Sequence, residues 1–196
     1  MNRHERRRQK KSNNLNQTVH PDLLKGIKLH TNKNYKEAEV LYNRALLSDP
    51  ANYEALRHLG ILCQDLKEYE RAYNYFMQAL KTNPKGFQAL SNLATIHMLN
   101  KNYDLARKCL MNSFKINSNY VPTINNLASY YHKVHEAKNA LHYAELSLSI
   151  QPNNPLALIQ YAKALTINNE LEKAIGLLEK LNENFPDNDD IKYDLS

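Results

Sequence analysis

The chain has 196 residues, a formal net charge of +6 and two cysteines, Cys63 and Cys109. Its length allows one domain with a sizeable core, whereas two cysteines are too few for a disulfide framework and neither has a neighbour at metal-ligand spacing. No stretch approaches the roughly 18 consecutive apolar residues that a membrane-spanning helix needs. These features argue against a disulfide-stapled domain and a transmembrane protein. They favour a reducing compartment, so we expect a cytoplasmic location.

The basic charge is concentrated in the first 18 residues. This segment carries six basic side chains against one acidic side chain, whereas the remaining 178 residues carry 20 basic and 19 acidic side chains. The segment is polar throughout and lacks the apolar run that follows the basic start of a secretory signal. We therefore interpret residues 1–18 as a basic, disordered leader. Its candidate electrostatic contacts are Arg6, Arg7, Arg8, Lys10 and Lys11.

From residue 19 onwards the sequence repeats itself with a period of 34 residues. Proline recurs at four positions with this spacing, and Ser118 occupies the missing place. Alanine recurs without a gap, at Ala38, Ala72, Ala106, Ala140 and Ala174. Self-similarity at a period of about 20–50 residues is typical of solenoid proteins. The register defines five units, which are residues 19–52, 53–86, 87–120, 121–154 and 155–188.

Each unit contains two apolar helical patterns separated by a polar break. In the second unit these stripes are Leu56, Leu59, Gly60 and Cys63, followed by Tyr69, Ala72, Phe76 and Ala79. Such spacing is typical of amphipathic helices, and Pro84 ends the second one because proline cannot continue a helix. The pattern predicts ten helices and no β-strand. The two helices of a unit are expected to approach most closely at small residues, which are Gly60, Ala94, Ala128 and Ala162.

These residues resemble the tetratricopeptide repeat family, whose 34-residue signature places large, small and proline residues at these offsets. The resemblance implies an all-α fold, a solenoid of five helix-turn-helix repeats that winds into a right-handed superhelix with a concave face. The chain departs from the signature at Lys25, where leucine is usual, and at Ser113 and Ser147, where alanine is expected.

The C-terminal end of the array requires a cap, because an end repeat needs a polar outer face. We predict a short stub helix over residues 189–196 that covers the last unit through Ile191 and Leu195. The alternative is self-association through an apolar edge formed by Ile175, Leu178 and Leu181.

The same resemblance implies that the first helix of each unit lines the concave groove. The sixth positions of the five units are Leu24, His58, Asn92, Asn126 and Gln160. The four polar ones are similar to the asparagine ladder of O-linked N-acetylglucosamine transferase arrays, whose amides hold the backbone of an extended peptide. We therefore predict a partner-binding groove with solvent-exposed side chains at His58, Asn92, Asn126 and Gln160. Composition is a competing explanation, since asparagine accounts for 26 of the 196 residues.

We predict a non-catalytic scaffold that binds an extended or helical segment of another protein and needs no cofactor or metal. The repeats leave no room for a second domain, and the sequence has no phosphate-binding glycine loop or nucleophile elbow. One alternative is tethering to nucleic acid or an anionic surface through the leader, which is disfavoured because the leader has no aromatic residue for stacking. Another is a subunit that presents substrates to a separate glycosyl- or sulfotransferase, an idea that rests on the ladder alone.

Overall fold

The structure, a computed structural model, describes residues 20–184. Within this range the chain forms ten α-helices and no β-strand, as the sequence predicts. The helices are α1 (Pro21–Thr31), α2 (Tyr35–Ser48), α3 (Tyr53–Asp65), α4 (Tyr69–Thr82), α5 (Phe87–Leu99), α6 (Tyr103–Ile116), α7 (Val121–Lys133), α8 (Ala137–Ile150), α9 (Pro155–Ile167) and α10 (Leu171–Asn184). None of these ten helices has the length and apolarity needed to span a bilayer.

The helices pack as five hairpins stacked in chain order. Each odd-numbered helix packs against the even-numbered helix that follows it, and each even-numbered helix from α2 to α8 packs onto the first helix of the next hairpin. Helix α4 ends at Thr82 and α8 ends at Ile150, before Pro84 and Pro152 respectively. The prolines therefore separate one hairpin from the next, as expected from the inability of proline to continue a helix.

The turn inside each hairpin has the same backbone geometry in all five units. In the second unit the Lys67 N–H donates to the Gln64 carbonyl at 2.9 Å and the Glu68 N–H donates to the Cys63 carbonyl at 2.8 Å, which is the hydrogen-bond pattern of a Schellman motif. The motif needs one residue in the left-handed region, and φ lies between 58° and 62° at Lys33, Lys67, Lys101, His135 and Asn169. None of the five is the glycine that usually fills this position, so no glycine marks the turn in the sequence.

Close approach within a hairpin depends on matched side-chain sizes. A Cβ atom added to Gly60 would lie 2.4 Å from the ring of Phe76, and one added to Gly26 would lie 2.7 Å from the ring of Tyr42. Both rings are fully buried. The later units replace this glycine by alanine and the ring by a smaller side chain, in the pairs Ala94 with Leu110, Ala128 with Ala144 and Ala162 with Leu178. The small-residue positions predicted from the sequence therefore lie at the close contact.

The N-terminus of one first helix is capped by a side chain from the preceding unit instead of by its own asparagine. Asn52 and Asn154 cap α3 and α9 with their side-chain oxygens, but the equivalent position before α5 is Gly86. There the Ala89 N–H donates instead to the hydroxyl of Tyr53, at 3.1 Å. A Cβ at Gly86 would lie 2.4 Å from the Tyr53 ring. Glycine thus leaves room for a cap that comes from the preceding unit.

The two serines that depart from the alanine column form buried hydrogen bonds. Ser113 Oγ donates to the Phe87 carbonyl at 2.8 Å and contacts Thr123 Oγ1 at 2.6 Å. Ser147 Oγ donates to Asn125 Oδ1 at 2.5 Å. Because an unpaired buried polar group costs free energy, each serine is explained by the polar partner that it satisfies.

The two ends of the array differ from the internal units. Lys25 is exposed, whereas the leucines at the equivalent position of units two to four are buried, because no earlier unit packs against α1 in the described structure. At the other end, Leu178 and Leu181 are buried against α9 and only Ile175, with 51% of its surface exposed, faces outwards. Of the three residues of the alternative apolar edge, Leu178 and Leu181 therefore offer almost no exposed surface, and self-association through this end stays a prediction. The leader (1–18) and the stub helix (189–196), with Ile191 and Leu195, lie outside the described residues.

We expect Gly60→Ala to destabilise the fold by about 1–2 kcal/mol, because the new methyl group overpacks against the Phe76 ring. The same change at Gly176, a helical glycine with nothing within 4 Å of an added Cβ, should stabilise by about 0.5–1 kcal/mol through helix propensity. Urea unfolding followed by circular dichroism measures both.

A Phe76→Leu background provides the control for this pair. In unit three, Ala94 and Leu110 occupy the positions of Gly60 and Phe76, which shows that alanine is accommodated opposite leucine. Adding Gly60→Ala to Phe76→Leu should therefore be neutral or stabilising. Destabilisation by the same amount in both backgrounds would show that contact with the ring is not the cause.

Candidate partner-binding face

The first helices of the five units share one face of the array. Successive odd-numbered helices contact each other, from α1 and α3 through to α7 and α9, whereas the described even-numbered helices make no comparable contact with one another. In a curved stack, the elements on the inner side are closer together than those on the outer side. The odd-numbered helices therefore line the concave face, as the family resemblance implies.

The N-terminal part of this face carries a charged network around His58. The Arg57 guanidinium donates to Glu54 Oε2 at 2.6 Å and lies 2.9 Å from His58 Nε2. The His58 ring stacks on the buried ring of Tyr42, with 5.6 Å between centroids. Burial, with a smaller contribution from Arg57, lowers the pKa of His58 from 6.5 to about 3. His58 is therefore a neutral, largely buried ring and not the exposed groove residue predicted from the sequence.

The central part of the face is uncharged and consists of amides and hydroxyls. Asn126 Nδ2 donates to Ser91 Oγ at 3.0 Å and to Thr95 Oγ1 at 3.3 Å, which links α7 to α5. Asn92 is half-buried, and no group among residues 20–184 hydrogen-bonds its side chain. The amide of Asn126 is thus held in a fixed orientation, while the amide of Asn92 remains available to a ligand.

The C-terminal part of the face contains Gln160, which is only 9% exposed. Its Oε1 atom is buried and has no hydrogen-bond partner within the described chain, an arrangement that costs free energy unless a donor reaches it. At the same position of the first unit, Leu24 is 57% exposed. The prediction of exposed side chains is therefore wrong for Gln160 as well as for His58.

The four predicted residues lie on one face but do not form a uniform ladder. They occupy equivalent positions on α3, α5, α7 and α9 and differ in burial and in hydrogen bonding. Ser91 and Thr95, whose hydroxyls orient Asn126, are not among the residues predicted from the sequence. Both lie one helical turn or less from Asn92 on the same helix, but the repeat signature gives no indication that they bond to Asn126. Whether these residues bind a partner stays a prediction.

Two further predictions concern charged or metal-binding sites. The candidate electrostatic contacts Arg6, Arg7, Arg8, Lys10 and Lys11 lie outside the described residues. Between residues 20 and 184, no group of three or more His, Cys, Asp or Glu side chains is arranged to hold a metal ion. Cys63 and Cys109 are free thiols, and burial raises the pKa of both, which makes them poor nucleophiles at neutral pH.

The low pKa of His58 predicts a stability that depends on pH. Below pH 6.5 the unfolded chain takes up a proton at this residue that the folded chain does not accept until about pH 3. The free energy of unfolding should therefore fall as the pH is lowered through this window, by up to about 2 kcal/mol at pH 5 for this residue alone.

Denaturant unfolding at pH 7 and pH 5 tests this, with His58→Asn as the comparison, since asparagine occupies the equivalent position in two other units. The variant should lose less stability between the two pH values than the parent chain. An equal loss in both chains would mean that His58 is not the buried neutral ring described above.

Comparison with solved structures supports the fold. A thermophilic tetratricopeptide protein of Thermus thermophilus superposes with a TM-score of 0.76 at 19% identity, over 89% of this chain and 95% of that chain. PilF of Pseudomonas aeruginosa superposes with a TM-score of 0.68 at 21% identity, over 88% and 78%. YrrB, a tetratricopeptide protein with an unusual peptide-binding site, gives 0.59 at 18% identity, over 94% and 96%. At these identities the likeness establishes the fold alone.

Comparison at the level of sequence gives two results. No curated protein matches the chain. The family model for the tetratricopeptide repeat matches residues 59–184, which is more than half of the chain. Together with five stacked helical hairpins of 34-residue period, this match shows that the chain belongs to the tetratricopeptide repeat family.

Proposed function

We propose that the chain is a non-catalytic scaffold whose concave face holds an extended segment of a partner protein through the peptide backbone. The observation that carries this proposal is the uncharged central part of the face. There Asn92 has an unoccupied amide within the described chain, next to Asn126, whose amide nitrogen is already fixed by Ser91 and Thr95.

The chemistry of these side chains suits an extended peptide. A carboxamide both donates and accepts hydrogen bonds, as a peptide group does. The N–H groups of Asn126 are directed at its own chain, so its Oδ1 remains to accept from a peptide N–H, while Asn92 can both donate and accept. A pre-oriented side chain loses less conformational entropy when it binds.

The spacing of the first helices is also suitable. Packed helices lie about 8–10 Å apart, and an extended chain advances about 3.3 Å per residue. Equivalent side chains on successive first helices therefore recur about every three residues of an extended partner. Contacts with the backbone alone would make binding largely independent of the partner's sequence.

Two other functions were considered from the sequence, and only one of them remains as a competitor. Tethering through the basic leader remains a competing function, since residues 1–18 hold most of the net charge, and it requires binding that weakens steeply with salt. Presentation of substrates to a separate transferase has no support beyond the resemblance at four positions, and we do not propose it. The cytoplasmic location and self-association through the last unit stay predictions.

Peptides selected from a random display library against the intact chain test the proposal. Replacing Asn92 by alanine should weaken the selected peptides roughly 5- to 150-fold, because two hydrogen bonds of about 0.5–1.5 kcal/mol each are lost. Asn74→Ala is the matched control, since Asn74 lies in the middle of α4 and is exposed. Fluorescence anisotropy at two salt concentrations measures the affinities.

The competing functions give other results. Peptides that bind the Asn92→Ala and Asn74→Ala variants equally well would contradict the proposal. Loss of binding only when Arg6, Arg7 and Arg8 are replaced by alanine, strongest at low salt, would assign the interaction to the leader. We avoid Asn126→Ala as a test because Asn126 also bonds to Ser91 and Thr95, so its loss would change stability as well as binding.

A further inference from the structure

We propose that a pocket at the N-terminal end of the concave face binds the guanidinium group of an arginine in the partner segment. The pocket lies between α1 and α3 and is an open surface cavity of about 370 Å³. Its lining includes Ile27, His30, Tyr35, His58, Ile61 and Asp65. The inference rests on the proposed function for its source of arginine, but the pocket can be tested alone.

Asp65 supplies a carboxylate in a fixed orientation. Its Oδ2 atom accepts a hydrogen bond from His30 Nε2 at 2.9 Å, and with Nε2 donating, Nδ1 of the same ring accepts from the hydroxyl of Tyr42, at 3.3 Å. Oδ1 of Asp65 has no partner among residues 20–184, and 43% of the side chain is exposed. One carboxylate oxygen therefore faces solvent with its direction set by the histidine beneath it.

The floor of the pocket adds no positive charge beside this carboxylate. His58 lies there with its Nε2 next to Arg57, and because a guanidinium can only donate, Nε2 must accept. The ring is neutral and its proton is on Nδ1. Arg57 itself is directed at Glu54 and does not line the cavity. The anionic group of the pocket is thus Asp65, and the ligand of complementary charge is a cation.

The shape of the pocket favours arginine over lysine. Ile27 and Ile61 are half-buried and provide apolar surface for the methylenes of a long side chain. The aromatic ring of Tyr35 lines the same pocket, and a planar guanidinium stacks on aromatic rings and is more weakly hydrated than an ammonium group. A carboxylate beside an aromatic ring is the combination that suits this group.

Among the described residues that line the pocket, Lys33 is the only lysine or arginine, and its charge opposes a cation. It lines the cavity but is exposed, and the described structure shows no ion pair between its ammonium group and a carboxylate. Because its charge is solvated and screened, it should reduce the affinity for arginine without preventing binding. Replacing Lys33 by an uncharged residue should accordingly strengthen the binding of arginine.

The test is a titration of the full chain with N-acetyl-arginine N-methylamide, followed through the NMR signals of Tyr35 and His58. The uncharged citrulline analogue has nearly the same shape and should bind about tenfold more weakly, because it lacks the charge-assisted hydrogen bond. Asp65→Asn, which keeps an acceptor for His30, should weaken arginine binding about tenfold, and Lys33→Gln should strengthen it about twofold. Glu145→Gln, at an exposed carboxylate on α8, should have no effect.

Three outcomes would overturn the proposal. One is equal binding of arginine and citrulline to the parent chain, a comparison that needs no variant to fold. Another is unchanged affinity in a folded Asp65→Asn chain. The third concerns Arg3, Arg6, Arg7 and Arg8 of the leader: if free arginine binds only when all four are replaced by glutamine, the pocket takes the chain's own arginine and not that of a partner. The Asn92→Ala measurement does not depend on this pocket, so the two proposals can fail separately.

Discussion

In each unit the second helix places a side chain directly on a residue of the first helix that has little or no side chain. Gly60 under Phe76 and Gly26 under Tyr42 leave no space for even one methyl group. This contact sets the distance between the two helices, and the left-handed turn residue between them sets their reversal of direction. Because every unit repeats both features, the hairpins stack with one consistent geometry. This stacking brings successive first helices closer together than successive second helices. The array therefore curves, and the first helices line its concave face.

The concave face is divided by chemistry although it is built from equivalent positions. Its first part is charged and aromatic, around His58 and Asp65, its middle is uncharged around Asn92, and its last part contains the buried Gln160. A uniform array would bind any extended chain equally along its length. A graded face can instead hold the backbone in the middle and recognise one side chain at the end. The two proposals therefore describe one ligand, an extended segment with an arginine near the end that lies over the first two units.

The fold could be predicted from the sequence because the 34-residue repeat remains recognisable when single positions depart from the signature. Side-chain states could not be predicted in the same way. Asn92 and Asn126 are identical in type and position, yet only Asn126 is bound to the neighbouring helix, since this depends on hydroxyls that the repeat signature does not contain. His58 was expected to be exposed, but its ring is buried against Tyr42, a residue 16 positions earlier on another helix. The polar break between the two helices of a unit was visible in the sequence, but the left-handed conformation of its turn residue, such as Lys67, was not, because lysine gives no signal for positive φ.

The claim that the concave face binds a peptide backbone is tested most directly by the side-chain amide signal of Asn92. In a chain labelled with ¹⁵N, a peptide selected against the intact protein should shift the Asn92 Nδ2 signals in proportion to its bound fraction. The signals of Asn74, which is exposed on an outer helix, should not move. A shift at Asn74 with no change at Asn92, at a saturating concentration of peptide, would contradict the account.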